Sequence, residues 1–329
     1  MPCLLALLIG PATAQSIDDV HVNPQSKTDL RQPPPPPDGI EVRLKPVHVD
    51  VSLVVVPVMV TDANGSPVMG LTQNDFKLLE GEREQRVQYF YSEDAPISVG
   101  LIVDMSGSMG NKINRVREAV REFFKIADPA DDYFVITFAG RPKLLANTTQ
   151  STEIIETKLG EMQAKGDTAL ADAIYAGLQK LKSAQYRRKA LVIISDGGDN
   201  SSRHSLRSVK NLAKESDAEI YAIDVCDAPG ILLTRRLEEK FGKQWLTQVT
   251  EETGGRTFAV DNAAKIPDAA SQISLELRNQ YVLAYHPADA GRNREWRKLK
   301  VKVSRAATEL PYQVYYRTGY LARKEEQEN

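Results

Sequence analysis

The chain has 329 residues, of which 42% are apolar, 26% charged and 7% aromatic; this is a globular composition with room for about two domains, and it excludes collagen, coiled-coil and low-complexity arrays. Forty-two basic against forty-four acidic residues leave a formal charge of −2, so no global field draws the chain to nucleic acid or to an anionic membrane. The two cysteines, Cys3 and Cys226, and the scattered histidines His21, His48, His204 and His286 exclude a disulfide framework, a zinc ribbon and an HExxH centre, all of which need clustered spacing.

Leu4 to Ile9 form a short apolar run that ends in Pro11 and then Ala12-Thr13-Ala14 before Gln15. That is the small-x-small pattern of signal-peptidase cleavage, so residues 1–14 read as an export signal, although no Lys or Arg precedes the run. An exported chain, periplasmic or extracellular and associated with the cell surface, is therefore expected. No other stretch approaches the length of about 18 apolar residues that a membrane span needs. Residues 15–46 are polar and carry Pro33 to Pro37, the composition of a stiff polyproline II spacer.

Val47 to Val60 is dense in valine, with Pro57 interrupting, and Asp62-Ala63-Asn64-Gly65 follows; this predicts a strand and a hairpin turn. Phe76 to Glu80 and Arg86 to Tyr91 are two further strand candidates, so 47–92 reads as all-β. It is too small a segment to bury a core alone. At Ile97 the pattern changes to a nearly continuous apolar run through Val103, as in a buried parallel strand. Ile113, Val116, Val120, Phe123 and Phe124 then recur at helical spacing and predict a helix over 112–127. Strands follow at Tyr133 to Phe138, Lys143 to Thr148, 189–195, Glu219 to Val225 and Arg256 to Val260. Helices are predicted over 151–159, 169–182, 205–216, part of 231–252, and 264–278. This alternation builds a doubly wound, mostly parallel sheet with helices on both faces, the α/β class. After Arg278 the β pattern returns at Tyr281 to Tyr285, Leu299 to Val303 and Gln313 to Tyr316. The economical architecture is a small sandwich-like β module, 47–92 plus 279–321, into which an α/β domain of 96–278 is inserted; 322–329 is a charged tail.

Ligands of open α/β sheets bind outside the carboxyl ends of the strands. Three loops there carry polar residues: Asp104-Met105-Ser106-Gly107-Ser108, Gly166-Asp167-Thr168, and Asp196-Gly197-Gly198-Asp199. They offer carboxylates and hydroxyls without thiol or imidazole, a hard oxygen set that suits Mg²⁺ or Mn²⁺ and Ca²⁺ less well. In an extended loop, alternation would aim Asp104, Ser106 and Ser108 the same way. A plainer use of Asp104 or Ser108 is to cap the helix that follows. Asp167 and Asp199 are neighbours with a possible supporting role.

The pattern Asp-x-Ser-x-Ser after the first strand, a Thr from a second loop and an Asp-Gly after the fourth resembles the von Willebrand factor type A domain over roughly 96–278. Asp104, Ser106, Ser108, Thr168 and Asp196 occupy the positions of its metal-ion-dependent adhesion site. The resemblance implies coordination of a divalent ion by the three hydroxyls, with Asp104 and Asp196 holding it directly or through water. It also implies an open position that a carboxylate of a protein partner completes, and a last helix, here 264–278, that couples the site to the β segments. The whole chain is also similar to exported bacterial proteins related to this family, through Thr61-Asp62-x-x-Gly65, Gly70-Leu71-x-x-x-Asp75-Phe76 and Gly319-Tyr320.

The expectation is a non-enzymatic binding or adhesion protein. A metal-dependent hydrolase or enzyme-complex subunit, or a structural assembly protein with a non-functional site, are the alternatives. No second Asp stands two residues after Asp104, as an aspartyl phosphatase would need, and no GxxxxGK[ST] loop occurs. Lys298, Lys300 and Lys302 alternate with Leu299, Val301 and Val303, as on a half-buried strand. Trp245, Trp296 and Cys226 read as packing residues.

Overall fold

A computed structural model describes residues 53–92, 95–225, 244–287, 295–304 and 312–322. The expected export signal, the proline-rich spacer, Cys226 and 323–329 of the tail lie outside these residues.

Fourteen strands and six helices follow in chain order among the described residues. The strands are β1 (Val54–Thr61), β2 (Phe76–Glu80), β3 (Arg83–Gln85), β4 (Tyr89–Tyr91), β5 (Ile97–Asp104), β6 (Asp132–Phe138), β7 (Pro142–Thr149), β8 (Arg188–Ser195), β9 (Glu219–Val225), β10 (Thr257–Val260), β11 (Tyr281–Tyr285), β12 (Trp296–Val303), β13 (Gln313–Tyr316) and β14 (Gly319–Leu321). The helices are α1 (Ile113–Ile126), α2 (Thr152–Gly160), α3 (Leu170–Leu181), α4 (Leu206–Glu215), α5 (244–253) and α6 (Ile266–Arg278).

The central sheet runs β10-β9-β8-β5-β6-β7, and every pair is parallel except β6–β7. All eight residues of β5 are buried, because helices cover both faces. Ile97, Val99, Leu101 and Val103 pack with Val116, Val120 and Phe123 of α1, Ile155 of α2 and Ile273 of α6. Ile102 points the other way, to Ile174 of α3, Val209 of α4 and Leu246 of α5. Gly100 is required by this crowding: a Cβ there would lie 2.3 Å from Phe134 Cζ and 2.8 Å from Leu191 Cδ1. The chain is thus a mixed α/β protein with a mostly parallel, two-sided sheet and separate small antiparallel sheets.

Those smaller sheets run β13-β1-β11-β4 and β14-β12-β2-β3, and both draw strands from either side of the α/β segment. Between them lies one apolar core, in which Val56, Val58 and Val60 of β1 meet Leu78, Leu299, Val301 and Tyr320. Pro57 is tolerated inside β1 because it pairs with Val282 of β11 on one side, while the pairing to β13 begins only at Val58. The turn at 62–65 forms, with Gly65 at φ 81° and Asp62 Oδ1 accepting from the Asn64 and Ser66 N–H groups. The chain folds back on β1 after it, through the antiparallel bridge of Thr61 with Pro67 and the Val68 N–H bond to the Val60 carbonyl, without forming a longer strand there. The strand expected over Arg86 to Tyr91 also differs. β3 ends at Gln85 in one sheet and β4 begins at Tyr89 in the other, with Val87 buried at the crossing.

In β12 the lysines 298, 300 and 302 face solvent and Leu299 and Val301 face the core. Arg297 also points inward, where it pairs with Glu80 at 2.8 Å beside the hydroxyls of Tyr285 and Tyr320. Ala322 is buried and its N–H donates to the Glu295 carbonyl, so ordered packing runs one residue past 321. No helix among the described residues is long and apolar enough to cross a membrane.

Candidate metal centre

Asp104 is the last residue of β5 and is fully buried. Its Oδ1 accepts from the Ser106 N–H at 2.8 Å and its Oδ2 from the Ser195 hydroxyl at 2.6 Å. Ser195 ends the adjacent strand β8, and its Oγ accepts in turn from the Gly197 N–H at 3.1 Å. Burial pushes the Asp104 carboxyl up to about 6, against the bonds from Ser106 and Ser195, and the charge of Asp196 raises it further. Two carboxyls therefore share one poorly solvated edge of the sheet, an arrangement that favours a cation between or beside them.

The loop after Asp104 is not extended throughout. Ser106 has β geometry, and a 3-10 turn over Gly107–Met109 follows. That turn, rather than alternation, brings Ser106 Oγ to 3.0 Å from Ser108 Oγ. Neither serine caps α1, whose first turn begins after Lys112 without a side-chain cap.

The second loop is tied to the first by Gly107 N–H to the Gly166 carbonyl at 3.0 Å and Lys165 N–H to the Met105 carbonyl at 2.8 Å. Gly166 has φ 94°, which a side chain would strain. Thr168, 6% exposed, follows two residues later. Asp196, equally buried, accepts from the Gly198 N–H at 3.3 Å. A Cβ placed on Gly198 would sit 3.5 Å from Asp196 Oδ1 and 4.0 Å from Thr168 Oγ1, so those two oxygens flank one point. All five residues singled out from the sequence thus gather at the carboxyl edge of β5 and β8. They supply two carboxylates and three hydroxyls, a set that fits a small hard cation. Among the described residues no three His, Cys, Asp or Glu side chains cluster to bind metal, so any ion held here depends on hydroxyl oxygens.

Several supporting residues were not evident from the sequence. Asn200 Oδ1 accepts from the Thr168 N–H at 3.0 Å, and the N–H groups of Asn200 and Ser201 return two bonds to the Thr168 carbonyl. Asp199 accepts from the Ala171 N–H and Ser202 Oγ from the Asp172 N–H. The loop after β8 therefore caps the free N–H groups at the start of α3, a role no local pattern reveals. Asp172 answers by accepting from the N–H groups of Arg203 and His204 and from the His204 ring, which stacks on Tyr175. Asp199 serves this capping, whereas Asp167 is exposed. Of these, Asp199 was singled out in the sequence, and Ser195 and Asn200 each stand next to a residue that was, Asp196 and Asp199.

The profile of the von Willebrand factor type A domain family matches residues 99–198. An uncharacterized protein of Borreliella burgdorferi is 23% identical over 188 residues, 51% of this chain and 55% of its own length. The inter-alpha-trypsin inhibitor heavy chain H4 of Sus scrofa is 30% identical over 105 residues, 30% of this chain and 11% of that protein. The chain thus spans about half of the first relative and a small part of the second. Among solved structures, a von Willebrand factor type A protein of Catenulispora acidiphila aligns with a TM-score of 0.49 at 11% identity, covering 78% of this chain and 76% of that one.

Proposed function

Because this chain is a von Willebrand factor type A domain protein, we propose that it is an exported, non-enzymatic binding protein. In this reading Asp104, Ser106, Ser108, Thr168 and Asp196 hold Mg²⁺ or Mn²⁺ and capture a carboxylate of a protein partner through it. The observation that carries the reading is the convergence of these five oxygen-bearing side chains from three loops on one edge of the sheet. When bound, the ion supplies an electrophilic anchor that two carboxylates leave short of anionic ligands. The chain's own contribution is orientation. Ser195 and the Ser106 N–H fix both oxygens of Asp104, and Asn200 fixes the backbone of Thr168. Export rests on the Leu4 to Ala14 pattern.

Thermal unfolding of the full chain in EDTA and in millimolar Mg²⁺ or Mn²⁺ tests the metal. An ion at about a hundred times its dissociation constant adds about 2.7 kcal/mol to native stability. The wild type should gain this and Asp104→Ala and Thr168→Ala should lose it. A wild type that does not respond to any divalent ion overturns the reading.

A further inference from the structure

A second concavity lies at the opposite pole of the parallel sheet, at the amino ends of β8 and β9. A cavity of about 490 Å³ opens there between the α/β part and the outer face of the β1–β11 pair, within the range of roughly 300–1,000 Å³ that small-molecule sites occupy. Its floor is apolar. Pro57 and Val282 stand side by side across the β1–β11 register, Val55 lies two residues along, and Trp296 also lines the cavity. Val55 is 38% exposed and borders this cavity.

The facing wall is charged, and most of its charges are already matched. Arg317 pairs with Asp217 at 3.0 Å, Arg297 with Glu80 at 2.8 Å, and Lys214 with Glu252 at 3.5 Å while lying over the Trp296 ring. Arg188 donates to the carbonyls of Ala95 and Leu277 and to Gln280. Glu219, at the start of β9, accepts from Gln280. Arg187 and Lys189 also line the cavity, and no carboxylate among the described residues pairs with either of them. An apolar floor facing two uncompensated cations is complementary to a ligand with a hydrocarbon body and one negative head.

We propose that this cavity binds a fatty-acid-like carboxylate, its chain laid on Val55, Pro57, Val282 and Trp296 and its head paired with Arg187 and Lys189. The site is independent of the metal centre and does not rest on it. Calorimetric titration of the full chain with dodecanoate tests it, with dodecyltrimethylammonium as the cationic counterpart of the same chain. Saturable binding of one dodecanoate is expected, with little binding of the cation. Arg187→Glu with Lys189→Glu should weaken dodecanoate at least about tenfold, Val55→Trp should fill the floor and do the same, and Asp104→Ala should bind like the wild type. No saturable binding, equal binding of the cation, or an unchanged affinity in both the charge-reversed and the Val55→Trp proteins, each folded by circular dichroism, overturns the proposal.

Discussion

Raising the pH should destabilise the folded chain through Glu219, and the size of the effect follows from its surroundings. This side chain opens β9 and is 6% exposed. Burial pushes its carboxyl from an ordinary 4.5 up to about 7; the charges of Arg188 and Arg317 and the bond from Gln280 pull it down, and Glu276 adds to the rise. The folded state therefore holds this proton more tightly than the unfolded chain does. The resulting stabilisation is complete below about pH 4.5 and is lost as the pH climbs through about 7. At about 1.36 kcal/mol per pH unit, the window corresponds to about 3 kcal/mol. Glu219→Gln keeps an oxygen for Gln280 but has no proton to lose. Urea unfolding of both proteins at intervals between about pH 4.5 and pH 8 isolates the effect. Asp104 and Asp132 are also raised by burial, but they titrate in both proteins and cancel in the difference; Glu276, whose charge acts on Glu219, cancels only in part. The variant should gain on the wild type by up to about 3 kcal/mol toward pH 8. A difference that stays flat across the window, or shrinks, refutes the reasoning.

Three further outcomes follow from packing and hydrogen bonding. Gly100→Ala forces a Cβ to 2.3 Å from Phe134 Cζ and should cost about 1–3 kcal/mol by denaturant unfolding; an unchanged midpoint would show that the neighbouring strands yield freely. Arg256 pairs with the fully buried Glu276, donates to the Tyr315 hydroxyl and lies between the rings of Phe258 and Tyr315. Arg256→Ala should cost about 3–5 kcal/mol because it strands a buried carboxylate, and adding Glu276→Gln should recover part of that loss. Asn200→Ala removes the acceptor that fixes Thr168 and should weaken Mn²⁺ binding, read by titration, about 10–100-fold; equal affinity would show that Thr168 needs no such support.

The α/β part was legible in the sequence because its strands are buried on both faces and announce themselves as apolar runs. Ile97 to Val103 and 189–195 are the clearest cases, and the helices between them repeat at 3.6-residue spacing. The β flanks were less legible. β3, Arg-Glu-Gln, is polar and exposed at a sheet edge, so nothing apolar marks it, and β14 is only three residues long. Arg297 keeps the alternation of β12 but puts a charge on its inward face, and the reason for that burial is Glu80, more than two hundred positions away. At the candidate centre the five oxygen-bearing residues could be singled out by their places after strands. The 3-10 turn that joins Ser106 to Ser108, the capping of α3 by Asp199 and Ser202, and the hold of Asn200 on Thr168 depend on contacts between separate loops that no local pattern encodes.

The interleaving of the two small sheets has a consequence for how the chain matures. β1 lies between β11 and β13, and the Tyr281 hydroxyl donates to the Val68 carbonyl across 213 positions. During synthesis β1 to β4 emerge first and must wait, their valines uncovered, until the far flank has left the ribosome. The α/β part takes all its strands from one uninterrupted stretch and can close on its own. Once closed, it holds its two ends as fixed points and lowers the entropy needed to bring the flanks together. Completion therefore proceeds from the inside outward. A translation stop before β13 would leave an assembled α/β part beside a valine-rich strand with one side unpaired, a template for pairing with other chains.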